Sequence, residues 1–161
     1  MATKYPPLKY PAPLIVCVKT NGNKKHTIEV FTTRPDTIFG VSFIVLAPEH
    51  ELVQKITTKH QEKEIKNYQN TSRLKTERER ISNVKTTTGA FTGAYATHPF
   101  TNKKIPIWIG DYVLANYGTG AVMSVPCGDQ RDWEFAKHFS LEIPNVFKDK
   151  DLSKGAFTEK D

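Results

Sequence analysis

A chain of 161 residues and 18.2 kDa, 38% hydrophobic and 11% aromatic, has room for one domain with its own core and not for two. No apolar run nears the roughly 20 residues of a membrane helix, and "MATKYPPLKYPAPLIV" breaks on lysine and proline before its first apolar segment, so neither a signal peptide nor an anchor is expected. The net charge of +6 leans toward a polyanionic partner, but many of the basic residues alternate with glutamate over residues 59–85, the pattern of a solvated helical face.

In chain order, "LIVCVKT" (14–20) is a β-branched run that reaches the turn-forming "NGN", after which "HTIEVFT" alternates in character; together they predict a hairpin. A polar stretch, Thr32 to Thr37, separates it from the short apolar strand "VSFIVLAP". "EHELVQKITTKHQEKEIKNYQN" lacks Gly and Pro and predicts one or two helices. "GAFTGAYATHPF" and "KIPIWIGDYVL" are strand-like and joined through "TNKK", a second hairpin. "GTGAVMSVPC" is a glycine-flanked turn into a strand that Pro126 interrupts. In "DQRDWEFAKHF", the acidic start at Asp129 and the spacing of Trp133, Ala136 and Phe139 predict a short amphipathic helix beginning just after Pro126. Strands outnumber helices, so the expected class is α+β on a closed or strongly curved sheet. Cys17 and Cys127 lie far apart and in no metal-like spacing, as in a reduced, cytoplasmic protein.

Two polar places invite chemistry. Asp129 is placed to cap the last helix; Asp132, three residues on, could complete that cap or project into a cleft as a carboxylate for a cation. Between Thr32 and Thr37, Pro35 fixing φ and Asp36 bonding local backbone make a sufficient turn. Three hydroxyls and Arg34 at a strand end could equally hold a sugar, a phosphate or an attacking water, and the residues alone leave both readings open. There is no Gly-x-Ser-x-Gly elbow, no phosphate-binding glycine loop and no Cys or His cluster at zinc spacing. "GTGAV" precedes a strand rather than a helix, unlike a dinucleotide fingerprint. The five histidines, His26, His50, His60, His98 and His138, are scattered and read as surface residues.

"FTTRPDTIFGVSFIVLAPEH", "TGAFTGAYATHPFTNKKIPIWIGDYVL" and "YGTGAVMSVPCGDQRDWEFAKHF" closely resemble the editing domain, connective peptide 1, of bacterial-type leucyl-tRNA synthetase. The resemblance runs from about residue 12 to the end. Valyl enzymes share the threonine-rich segment but typically have Glu where this chain has Asp36, and isoleucyl enzymes usually have Thr-Pro-Trp-Thr in the second motif. The resemblance implies the editing fold common to those three synthetases, a β-barrel flanked by short helices. It also implies a single domain over 1–161 taken from a larger enzyme. The His-Ile-Gly-His-like and Lys-Met-Ser-Lys-Ser-like motifs of aminoacylation do not occur, so this chain is not expected to charge tRNA.

The resemblance further implies hydrolysis of the ester in tRNA(Leu) mischarged with norvaline, isoleucine or a similar residue, with leucine spared. A hydrophobic pocket separates such isosteres by only about 1–3 kcal/mol, hence the need for a second, hydrolytic site. Asp132 resembles the carboxylate that binds the substrate's α-ammonium group. Thr37 resembles the threonine whose side chain collides with leucine's γ-branch. Thr32 and Thr33 resemble residues beside the terminal adenosine and ester, where they would orient water. Arg34 and Asp36 resemble holders of the terminal nucleotide and of the loop itself. Tyr117, Met123 and Val125 correspond to the pocket wall, although Met or Val on a strand is core by default. Asp129 would support the site from the helix cap.

No residue resembles a covalent nucleophile, Cys127 having no histidine partner in sequence; a positioned water, assisted by the adjacent ribose hydroxyl, is the implied attacking group. No cofactor is implied for editing, since ATP and magnesium belong to the aminoacylation core. The implied partners are the 3′ CCA end of tRNA(Leu) and the rest of the synthetase, with no membrane, and the chain is expected to be a cytoplasmic monomer. Cys127-Gly128 departs from the more usual Ala-His or Gly-His, so the site cannot depend on that histidine, and a more flexible loop is expected there. A free-standing trans-editing deacylase and a non-catalytic module that holds the tRNA 3′ end are the rival readings. The intact threonine-rich segment and Asp132 argue against the second.

Overall fold

The computed structural model describes residues 12–19, 25–32, 35–83, 86–147 and 149–158. Strands β1 (Ala12–Lys19) and β2 (Lys25–Thr32) pair antiparallel along their whole length, Ala12 opposite Thr32 and Lys19 opposite Lys25. This is the predicted first hairpin, with its "NGN" turn outside the described residues. Pro35–Gly40 forms a 3-10 segment that opens on proline, whose fixed φ suits a helical first position. Strand β3 (Phe43–Leu46) has all four side chains buried, as a continuous apolar run demands of a strand covered on both faces.

Helices α1 (Glu51–Ile56) and α2 (Glu62–Arg73) are the predicted pair, and α3 (Glu77–Ser82) is additional. Helix α3 starts on a capping box in which the Thr76 hydroxyl accepts from the Glu79 amide and the Glu79 carboxylate accepts from the Thr76 amide. Most charges of this stretch are solvated, as expected. Arg80 is the exception: it is 7% exposed, pairs with Glu49 at 2.7 Å and donates to the backbone carbonyls of Asp111 and Val113.

Strands β4 (Ala90–Thr97) and β5 (Lys104–Ile109) form the second hairpin and alternate buried with less buried positions. Strand β6 (Ala121–Ser124) and helix α4 (Gln130–His138) complete the fold. The sheet order is β2-β1-β4-β5-β3-β6, with β3 and β5 parallel and the other neighbours antiparallel. A bulge in β4 between Phe91 and Tyr95 bends the sheet. It rests on Gly93, at φ +79°, where a Cβ would lie 2.1 Å from the Thr58 hydroxyl.

The curl brings Cα atoms of the edge strands β2 and β6 within 8 Å of each other, but among the described residues no ladder joins them. The α+β class and curved sheet are as expected, and the barrel stops short of closure. Helix α4 covers one face through Phe135, stacked on Phe43 at 5.1 Å, and Phe139, 4.5 Å from Trp108. The predicted apolar stripe holds at Ala136, which is fully buried, and at Phe139, which packs on the core; Phe135 is buried beside them, while Trp133 is partly exposed and donates its indole N–H to the Leu152 carbonyl.

Candidate functional site

Antiparallel pairing of β6 with β3 sets Ser124 opposite Phe43, so the chain leaves β6 beside the point where it enters β3. The 3-10 segment before β3 and the loop after β6 are thereby gathered at one end of the sheet. The Ser42 amide donates to the Ser124 carbonyl at 3.2 Å, and Gly40 lies so close to Val125 and Cys127 that a Cβ would meet their side chains at 3.1 and 3.0 Å.

Pro126 cannot donate to a ladder and ends the strand. Gly128 and Asp129 donate their amides to the Val125 carbonyl, and the Phe157 amide donates to the Cys127 carbonyl. The loop expected to be more flexible is thus tied on both sides. Asp129 is the N-cap of α4, its carboxylate accepting from the Asp132 amide at 3.0 Å, as predicted.

Asp132, one turn inside the helix, folds its carboxyl back to accept from the Val125 amide at 2.8 Å. Burial, then the neighbouring Asp129 charge, push its pKa up to about 7, against the opposing pull of the Val125 amide and the nearby Ser124 hydroxyl. Tyr112 lies against the same carboxyl, and burial and the Asp132 charge push its phenol well up. Among the described residues the buried Tyr112 and Ser124 hydroxyls meet no hydrogen-bond partner of good geometry; Ser124 sits beside the carboxyl and not in a formed bond to it. Asp132 therefore does more than cap: it is a half-buried carboxyl whose ionisation a bound cation would favour.

Thr37, 8% exposed, lies on the 3-10 segment, and the preceding Asp36 is exposed. Met123 and Val125, two residues apart, face that segment: Met123 lines a small apolar pocket with Ile38 and Val41, and Val125 packs on Gly40. Thr37, Met123, Val125, Asp129 and Asp132 are thus brought to one end of the sheet. Thr32 contributes its backbone at the end of β2, and Thr33 and Arg34 lie outside the described residues. Tyr117 is not brought to this cluster. It is 82% exposed in the turn before β6, beyond the end of that strand opposite Ser124.

Two histidines correct the surface reading. His50 is half-buried and caps α1, Nδ1 accepting from the Leu52 amide, and His98 is 3% exposed. Tyr112 and Ser124 escaped the sequence reading although both lie within or next to its motifs, because a tyrosine in a turn and a serine ending an apolar strand carry no sign of what they will face. Burial pushes the Cys127 thiol up, in keeping with its rejection as a nucleophile.

Residues 15–160 match the family model described as leucyl-tRNA synthetase, editing domain. Leucine-tRNA ligase of Christiangramia forsetii is 65% identical over 139 residues, covering 86% of this chain and 14% of its own length. That of Flavobacterium johnsoniae is 58% identical over 144 residues, covering 86% and 15%. The chain therefore spans only about a seventh of these relatives. Among solved structures, the ternary complex of Agrobacterium radiobacter K84 agnB2 LeuRS with tRNA and LeuAMS superposes with a TM-score of 0.68 at 30% identity, covering 91% of this chain and 17% of that one. With motifs, sheet and family match in agreement over nearly its whole length, the chain belongs to the leucyl-tRNA synthetase editing-domain family.

Proposed function

We propose that this chain is a hydrolytic editing site that cleaves the ester between a non-cognate amino acid and the 3′ end of tRNA(Leu) while sparing leucine. The observation that carries this reading is the gathering of a half-buried carboxyl, Asp132, and a buried threonine, Thr37, at one end of the sheet, with Met123 and Val125 facing the threonine's segment.

Each part has a physical task. The α-ammonium of an aminoacyl ester would pair with Asp132, drawing its raised pKa back down and fixing the acyl group by the one feature all substrates share. The side chain then extends toward Thr37, where a γ-branch collides and a linear or β-branched chain fits. The nucleotide end runs back along β6. From Ser124 to Ala121 the strand covers about 10 Å, and the exposed ring of Tyr117 beyond it suits stacking on the terminal base. Thr32 ends β2, the strand beside β6, and Thr33 and Arg34 follow it in sequence; the three would meet the ester and ribose from that side.

Water attacks the ester carbonyl carbon, giving a tetrahedral oxyanion that nearby donors hold. The ester C–O bond then breaks, and the ribose oxygen leaves with the proton that the water gave up. The products are free amino acid and tRNA with both terminal hydroxyls restored. The partners of this reaction are the CCA end of tRNA(Leu) and the remainder of a leucine-tRNA ligase.

The test is release of amino acid from isoleucyl-tRNA(Leu) and leucyl-tRNA(Leu), by this chain alone and carried in a full-length leucine-tRNA ligase. Selective hydrolysis of the isoleucyl ester is expected. Asp132→Ala should lower it by about 30-fold or more, since losing one partner of a buried charge pair costs about 2–5 kcal/mol. Thr37→Ala should open leucyl-tRNA(Leu) to hydrolysis. A folded protein that hydrolyses neither ester in either form would instead leave a module that only binds the tRNA end.

A further inference from the structure

The proposed discrimination depends on a clash, and a clash excludes leucine only if the residue that makes it cannot retreat. What keeps Thr37 in place is therefore a question for the 3-10 segment and whatever it leans on. The segment leans on His98, at the turn between β4 and β5 and 60 residues from Ile38 in sequence.

His98 Nδ1 accepts from the Phe100 and Thr101 amides, each at 3.2 Å. Two donors on one nitrogen require its lone pair, which places the ring proton on Nε2. That nitrogen lies 2.8 Å from the carbonyl oxygen of Ile38, the residue after Thr37, and donates to it. The same carbonyl accepts from the Val41 amide at 3.2 Å, so the imidazole closes a three-way junction inside the segment. The Phe39 ring stacks over the imidazole at 6.1 Å and approaches Phe100 at 5.9 Å, while Ile38, Val41, Pro99 and Ile105 surround the contact with apolar atoms. A hydrogen bond in so dry a setting is costly to lose, because water cannot replace it.

We infer that His98 is a positioning residue that holds the Thr37 segment against the sheet and so sets how strictly leucine is excluded. This rests on the editing reading above. His98 does not touch the substrate; it acts through the Ile38 carbonyl.

Two conservative replacements separate this role from ordinary support of the fold. In His98→Asn the amide oxygen takes the place of Nδ1, keeping the β4–β5 turn and losing the bond to Ile38. In His98→Gln the amide nitrogen reaches the Nε2 position and keeps that bond. Hydrolysis of leucyl-tRNA(Leu) relative to isoleucyl-tRNA(Leu) should rise about fivefold to tenfold in His98→Asn, the loss of one buried hydrogen bond. KM for the isoleucyl substrate should not change, and His98→Gln should keep wild-type discrimination. Amide hydrogen exchange at residues 37–41 should quicken in His98→Asn and not in His98→Gln.

Unchanged discrimination in a folded His98→Asn protein would overturn the inference, as would an equal loss on both substrates. If the unaltered protein hydrolyses neither ester, the editing reading falls and the discrimination claim with it. The exchange measurement still decides the positioning claim: no quickening in His98→Asn overturns it.

Discussion

Asp132 concentrates the tension of the site in one carboxyl. Unfolded, it ionises at the ordinary 3.8; folded, burial and Asp129 hold it near 7. Between those values the folded chain binds more protons than the unfolded one, so this group's contribution to stability falls as pH rises through the window. The penalty is absent at pH 4 and complete above pH 7. Asp132→Asn stays neutral and can still accept from the Val125 amide, so its melting temperature should match wild type at pH 4 and exceed it at pH 8 by several degrees. About 1 kcal/mol moves a domain of this size by roughly 2–4 °C, and melts across pH 4–8 would show the gap open or refute the buried charge. Sequence reading reached Asp132 through its motif but not its environment, because Tyr112 and Ser124 come from segments in which nothing marks a polar contact. His98 was hidden for the same reason, its partner Ile38 lying 60 residues away.

At the scale of the element, the start of α4 combines a cap and a charge that can be separated. Asp129 satisfies the Asp132 amide and repels the Asp132 carboxylate. Asp129→Asn keeps the cap and removes the repulsion, so the Asp132 carboxyl should titrate at lower pH and, by the same linkage, melting should be nearly unchanged at pH 4 and rise at neutral pH. Asp129→Ala should lose about 1 kcal/mol of stability with the cap. A carboxyl NMR titration with thermal melts checks both, and an unmoved Asp132 titration in Asp129→Asn would remove the repulsion from the account. This helix was legible because its start signal and apolar spacing are local. Helix α3 was legible in principle, since Thr76 to Glu79 spells a capping box. The burial of Arg80 was not, because Glu49, Asp111 and Val113 come to it from 31 to 33 residues away. Arg80→Ala should cost about 1–3 kcal/mol, chiefly by leaving the Asp111 and Val113 carbonyls without their donor, whereas Arg78→Ala on the exposed face should be nearly silent in the same denaturant melts.

Over the whole molecule, charge and shape serve different stages of the proposed reaction. The hairpins and the α+β class were readable because alternation and turn residues are local, whereas the curl that brings β2 and β6 together without a ladder depends on the Gly93 bulge and on pairings between distant strands. The net charge of +6 gives a polyanion a reason to approach. Attraction of this kind is sensitive to salt; a half-buried carboxyl and a steric wall are not. If the three phosphates of a CCA end are neutralised, a fourfold rise in salt should weaken binding by about twentyfold, from a slope near −0.7 per phosphate for single strands. KM for isoleucyl-tRNA(Leu) should therefore climb between 50 and 200 mM salt, values set by the range over which such effects are about largest, while kcat and the preference over leucyl-tRNA(Leu) stay level. A preference that collapsed with salt would mean that discrimination lies in how the tRNA is held, and would move specificity away from Thr37 to the charged surface.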